Sequence, residues 1–185
     1  MESSPSVVAI CGSLRDSSTT RLALGHVLDA AFDAGADTEL IDLRDWDLPV
    51  YDADDRDQGD AAALRSVVGS ADAVVMGTPV YHGMVSSVLK NAFDYLGRDE
   101  FEDTTVGLLA TTGGGPYAAT LEHLRTGVRT LHGWVLPHEV GIRNASDAFD
   151  DQGQFVETDL ATRVRELGRM VTEYARIEPG SYCRT

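Results

Sequence analysis

The chain has 185 residues, enough for one domain with a substantial core and no dependence on disulfides. Thirty acidic residues against 15 basic ones give a net charge of −15, so nucleic acid and anionic membranes are poor partners. With only Cys11 and Cys183, no basic-then-apolar leader and no apolar run of membrane-spanning length, a soluble protein of the reducing cytoplasm is expected.

The first apolar run predicts a strand over Ser6–Cys11, and the helical spacing behind it predicts a helix over Ser18–Ala34. The same alternation continues with strands at Thr38–Leu43, Ala73–Thr78, Thr105–Thr111 and Trp134–Val140. Helices are expected over Asp60–Gly69, Met84–Leu96, Tyr117–His132 and Thr158–Ala175. In the last of these, Leu160, Val164, Leu167, Val171 and Tyr174 form one apolar stripe. Apolar strands each followed by a helix indicate a parallel sheet covered on both faces. The expected architecture is an α/β three-layer sandwich of five parallel strands in the order 2-1-3-4-5. It forms a single domain over residues 1–177, with a flexible tail at 178–185.

Two stretches interrupt this pattern. Arg44–Asp60 carries seven Asp around Trp46, Leu48, Pro49, Val50 and Tyr51, an apolar centre that calls for packing against a ligand or a partner subunit. Arg143–Glu157 reads as a similar polar excursion. Twenty of the acids are Asp, and 14 of the 15 bases are Arg, with Lys90 the single Lys. Such a balance suits high salt, where a Debye length of about 3 Å tolerates a self-repelling surface, or else it is an acidic interaction face.

The segment between the first strand and its helix holds Gly12, Ser13, Leu14, Arg15 and a run of hydroxyls, Ser17, Ser18, Thr19 and Thr20. A loop of N–H and O–H donors at a helix N-terminus is suited to a phosphate. The alternative is that these hydroxyls only cap the helix. A P-loop is excluded, because its Lys is missing, and a dinucleotide G-x-G-x-x-G is excluded, because only Gly12 is present. One Arg among hydroxyls fits a terminal phosphate monoester, and so a mononucleotide such as FMN. A thiolate phosphatase built on Cys11 would need Arg where Ser17 stands, so Cys11 reads as a small buried residue.

Two further loops leave strand ends: Pro79-Val80-Tyr81-His82-Gly83 after the third, and Thr112-Gly113-Gly114-Gly115 after the fourth. Glycines let a flat ring approach the main chain without Cβ clashes. In the order 2-1-3-4-5, strands 1, 3 and 4 are adjacent, and their carboxyl ends border the ligand crevice of open α/β sheets. The phosphate site is therefore assigned to Ser13, Arg15, Ser18, Thr19 and Thr20, and the ring site to Pro79–Gly83 and Thr112–Gly115. No metal-ligand spacing and no G-x-S-x-G motif is recognised.

Three motifs carry a family resemblance: Gly12-Ser13-Leu14-Arg15 with Ser18, then Leu48-Pro49-Val50-Tyr51-Asp52, then Thr78-Pro79-Val80-Tyr81-His82-Gly83 leading into Val88–Leu96. Together they resemble the NADPH-dependent FMN reductases of the flavodoxin-like class, over nearly the whole chain. Thr20 stands where that family often has Asn. The resemblance implies bound FMN and NADPH or NADH as hydride donor. The implied acceptor is a small molecule such as a quinone, azo compound, flavin or metal ion. It also implies a homodimer or homotetramer formed through the 84–96 helix. No catalytic side chain is then required, since the flavin carries the chemistry. His82 is left as an auxiliary proton donor or a stacking residue, and Tyr117 as a ring cover or a core residue at a helix start. The alternative function is a flavodoxin-like electron carrier that binds FMN without oxidising nicotinamide nucleotides.

Overall fold

A computed structural model describes residues 3–176. The expected tail at 178–185, with Cys183, lies outside the described residues. Strands β1 (Ser6–Cys11), β2 (Asp37–Asp42), β3 (Ala73–Pro79), β4 (Thr105–Thr111) and β5 (Trp134–Ile142) form one parallel sheet in the order β2-β1-β3-β4-β5. The helices are α1 (Thr19–Asp33), α2 (Ala61–Gly69), α3 (Ser87–Tyr95), α4 (Arg98–Phe101), α5 (Ala118–Thr130) and α6 (Thr158–Glu173). The parallel sheet is the one expected from the alternation of apolar runs, and its order is the one that the flavodoxin-like resemblance implies. None of the described helices is long and apolar enough to cross a membrane.

Strand pleating divides the core into two halves. Val7, Ala9 and Cys11 of β1 point to one face and pack with Ala23, Leu24 and Val27 of α1 and Val164, Leu167 and Val171 of α6. Val8 and Ile10 point to the other face, with Leu64 of α2, Leu89 and Tyr95 of α3, Phe101 of α4 and Leu121 of α5. The central strands β3 and β4 are buried along their whole length, which is why they read as unbroken apolar runs. The edge strand β2 is exposed over Asp37–Glu39 and buries Ile41.

Most element ends fall within a residue or two of expectation, and two helices depart further. Helix α3 starts at Ser87 rather than Met84, because Ser86 has extended backbone and its hydroxyl accepts from the Leu89 N–H at 3.2 Å. Met84 belongs instead to a tight turn. The one-turn helix α4, with Gly97 N–H bonded to Glu100 Oε2 at 2.6 Å, is too short to leave a periodic signal. In the β4–β5 pairing the register jumps from Val106↔Val135 to Leu108↔Glu139, so Leu136, Pro137 and His138 bulge opposite Gly107.

The α1–α6 contact depends on a residue with no side chain. A Cβ on Gly168 would lie 2.2 Å from the Val27 carbonyl oxygen and 2.9 Å from Ala30 Cβ. Ala at an exposed helical position gains up to about 1 kcal/mol over Gly, but overpacking against backbone costs about 1–3 kcal/mol or more. Here the overpacking wins, because a backbone carbonyl cannot rotate away. Gly168→Ala is expected to lower stability by about 1–3 kcal/mol, read as a lower urea midpoint at unchanged slope.

Candidate functional site

The loops that follow β1, β3 and β4 meet at the carboxyl edge of the sheet, where the chain crosses from one face to the other. The first loop runs from Gly12 to Ser18. Its Ser18 caps α1, accepting from the Arg21 N–H at 3.1 Å. Ser13, Ser18 and Thr20 are buried, whereas Arg15 and Ser17 are exposed at the rim. Among the described residues the Arg15 guanidinium makes no bond, so it is available to an anion.

Three sets of hydrogen bonds fix the loops to one another. Ser86 Oγ donates to the Gly12 carbonyl at 2.6 Å, and the Ser86 N–H donates to Thr78 Oγ1 at 3.0 Å, tying the first loop to the second. Thr20 and Thr111 share a buried hydroxyl–hydroxyl bond of 2.6 Å, tying the first loop to the end of β4. That bond uses one of the two O–H groups, so the pair retains one proton for a ligand. The Val80 N–H donates to Thr111 O at 2.8 Å, and Ala145 N–H to Thr112 O at 3.0 Å, adding the third and a fourth segment.

These segments enclose a cavity of about 470 Å³, within the range of cofactor sites. Its lining includes Ser13, Arg15, Ser17, Thr19, Thr20, Pro79, Val80, Tyr81, Thr111, Thr112 and Gly113. Of the residues assigned from sequence, these include Ser13, Arg15, Thr19 and Thr20 at the phosphate end. At the ring end they include Pro79, Val80, Tyr81, Thr112 and Gly113. Ser18 serves the helix cap instead. His82 and Gly83, with φ of 53° and 76°, form the tip of the turn in which Tyr81 and Met84 exchange hydrogen bonds, outside the cavity lining. Two successive positive φ angles are what such a tight turn requires. Gly114 and Gly115 also lie outside the lining, with Gly114 at φ 135° beside Asn144. Tyr117 is not part of this cavity's lining. Its ring lies on Gly141, where a Cβ would come within 2.1 Å, and Arg143 sits 5.8 Å from the ring centroid.

A fourth wall went unread in the sequence: Ala145, Ser146, Phe149, Asp150 and Asp151, with Leu22 of α1. They belong to the polar excursion after β5. The rings of Phe149 and Phe155 pack tilted with centroids 4.5 Å apart, those of Phe155 and His26 likewise at 4.9 Å, and His26 Nε2 bonds to the Gly153 carbonyl at 2.8 Å. Two phenylalanines in an otherwise polar stretch were the available signal.

The acidic Arg44–Asp60 loop packs part of its aromatic centre on its own chain and leaves Val50 exposed. Trp46, Leu48 and Tyr51 join the core on the α3 side. Asn91 Nδ2 donates to the Leu48 and Pro49 carbonyls at 3.1 and 2.8 Å, its Oδ1 accepts from Tyr51 N–H at 2.9 Å, and Tyr95 Oη donates to Pro49 O at 2.9 Å. Burial, reinforced by the Asp55, Asp47 and Asp52 carboxylates, pushes the Tyr95 phenol up from its ordinary value.

Cys11 is fully buried at the end of β1. Burial raises its thiol pKa above the ordinary value, opposed by a bond from the Ser13 backbone and assisted by the Asp42 charge. A buried, protonated thiol is a poor nucleophile, which leaves the phosphatase arrangement without support.

The family model described as NADPH-dependent FMN reductase matches residues 5–147, a span that takes in all five strands and the loops after β1, β3 and β4. The FMN-dependent NADPH-azoreductase of Staphylococcus aureus is 35% identical over 102 residues, 55% of this chain and 54% of that protein. The chain thus spans about half the length of the curated relatives it matches. Among solved structures, an NADH:FMN oxidoreductase in its apo form superposes with a TM-score of 0.77 at 22% identity, over 96% of this chain and 94% of that one. FerB, an NAD(P)H:acceptor oxidoreductase from Paracoccus denitrificans, gives 0.76 at 18% identity, over 92% and 97%. An archaeal flavodoxin gives 0.68 at 11%, over 92% and 98%, and these likenesses establish the shared fold.

The buried thiol has a checkable consequence. Above pH about 9 the unfolded chain loses a thiol proton that folded Cys11 retains, so stability present below that pH falls as pH rises toward the folded value. The slope approaches about 1.4 kcal/mol per pH unit, and Cys11→Ala should flatten it in urea melts at pH 8–10. Peptide mapping after iodoacetamide at pH 8 should find Cys11 unmodified in the folded protein and alkylated in urea.

Proposed function

The chain belongs to the NADPH-dependent FMN reductase family, and we propose that it binds FMN in the cavity and passes hydride from NADPH or NADH to a small acceptor. The observation that carries this reading is the division of one cavity between two chemistries. Donors suited to a phosphate lie at the end of β1, and backbone and aromatic surfaces suited to a flat ring lie at the ends of β3 and β4. When bound, the flavin would supply the two-electron chemistry.

The protein's part is to bind, orient and exclude water. Arg15, Ser13, Thr19 and the remaining proton of the Thr20–Thr111 pair are placed to hold a phosphate monoester. Pro79, Val80, Tyr81 and Gly113 offer the rigid, low-profile edges on which an isoalloxazine would lie. No acid–base side chain is buried in the lining, and none is needed for hydride transfer. Acceptors of the quinone, azo, flavin or ferric classes fit an open ring face. The azo class is also named for the staphylococcal relative.

Two further features belong to the same proposal. The groove lined by Leu14, Trp46, Leu48, Val50 and Val88, about 550 Å³ and rimmed by Lys90 and Asp94 of α3, is the seat of a second copy. Val50 is 86% exposed and Leu14 54%, apolar surface that a homodimer would cover. The net charge of −15 is read as adaptation to a high-salt cytoplasm.

Protein prepared at molar salt with FMN should show bound-flavin absorbance that bleaches anaerobically on adding NADPH or NADH. Bound flavin that neither nucleotide reduces would instead identify an electron carrier, and no bound flavin would refute the proposal. Arg15→Ala should weaken FMN binding by about 1.5–3 kcal/mol, the range of a charge-assisted hydrogen bond, measured by flavin fluorescence quenching. Sedimentation at molar salt should give a dimer or tetramer, and Val50→Asp should shift it toward monomer.

A further inference from the structure

Arg21, on the first turn of α1, lies outside the cavity lining, yet its guanidinium is committed to the phosphate loop. Its Nε donates to Asp42 Oδ2 at 2.5 Å, its Nη1 to the Asp16 carbonyl at 3.0 Å and its Nη2 to the Arg15 carbonyl at 3.0 Å. Arg44, just past β2, adds a second strut: its Nη2 contacts Asp16 Oδ1 at 2.5 Å and its Nη1 the Arg15 carbonyl at 3.4 Å. Both carbonyls of the turn are thus drawn outward.

A trans peptide holds its C=O and the following N–H in opposite directions. Pulling the Arg15 and Asp16 carbonyls toward Arg21 therefore turns the N–H groups of Asp16 and Ser17 the other way. Neither N–H has an acceptor among the described residues, and Ser17 lines the cavity. Successive N–H groups pointing one way make an anion-binding concavity.

We infer that Arg21, locked by Asp42, is a positioning residue that shapes the phosphate loop from behind, an inference that rests on the FMN reading above. Its charge is not the instrument, because the Asp42 carboxylate at 2.5 Å offsets it. The planar fork is, since it reaches two consecutive carbonyls and the carboxylate at once, and the single ammonium of Lys cannot.

The test compares FMN with riboflavin, which lacks the phosphate, by fluorescence titration of the whole chain at molar salt. In Arg21→Met and Arg21→Lys, FMN affinity should fall at least tenfold while riboflavin affinity stays within twofold of the parent. Asp42→Asn should show the same selective loss, and it carries the test if Arg21→Met fails to fold. Retained FMN affinity in Arg21→Lys would overturn the inference in favour of a simple charge effect. Equal losses for both ligands would overturn it in favour of general destabilisation. A parent protein that binds riboflavin as tightly as FMN would overturn it while leaving the flavin reading intact. A parent that binds neither would overturn both.

Discussion

The site depends on one hydroxyl-bearing residue at the junction of two loops. Ser86 bonds to the carbonyl of Gly12, to the hydroxyl of Thr78 and to the N–H of Leu89, so it sets the first loop, the second loop and the start of α3 relative to one another. The approach is so close that a Cβ on Gly12 would fall 2.7 Å from Leu89 Cβ and 2.9 Å from Ser86 Oγ. Buried hydrogen bonds of this kind are costly to leave half-made, which favours one arrangement of the loops over many. The Thr20–Thr111 pair extends the same logic to β4. The protein's own polar contacts therefore hold the loops around the cavity in one arrangement.

Electrostatics poses a problem that the local structure addresses. A chain of net charge −15 repels a phosphate at long range. High salt shortens that repulsion to about 3 Å at 1 M, so contacts made within that distance decide the outcome. The loop after β1 meets the requirement with short-range donors. Two further guanidiniums stand behind it, both engaged by Asp42 or Asp16. The remaining ion pairs are mostly surface contacts between exposed partners and contribute little each.

Most of the fold was legible, because its information is local. The β1, β3 and β4 segments are apolar without alternation, and each is followed by a helical period. The order 2-1-3-4-5 came with the flavodoxin-like resemblance, and it brings the glycine- and hydroxyl-rich loops after strands 1, 3 and 4 together. The parts of the site on those loops were legible for the same reason. What was not legible is long-range. Asn91 lies in the Val88–Leu96 segment that carries the resemblance, but no local pattern announces its three bonds to a loop some 40 positions away. His26 reads as a helix histidine, yet it braces the fourth wall across 127 positions. His82 reads as a ring neighbour, but the turn chemistry of Tyr81–Met84 places it at the tip with positive φ. In each case the residue type fits several roles, and only the tertiary path selects one.

The bulge at Leu136–His138 has a bearing on how the molecule meets others. Pro137 has no N–H to offer, and the irregular pairing opposite Gly107 breaks the repeat of the outermost strand. At the opposite border, β2 presents Asp37, Thr38 and Glu39 to solvent, charged and short. Both borders of the sheet are thereby made poor templates for another strand. Self-association by strand addition, the usual route to runaway fibres from an open sheet, is closed off on either side. Any contact between copies would then fall to helices and loops.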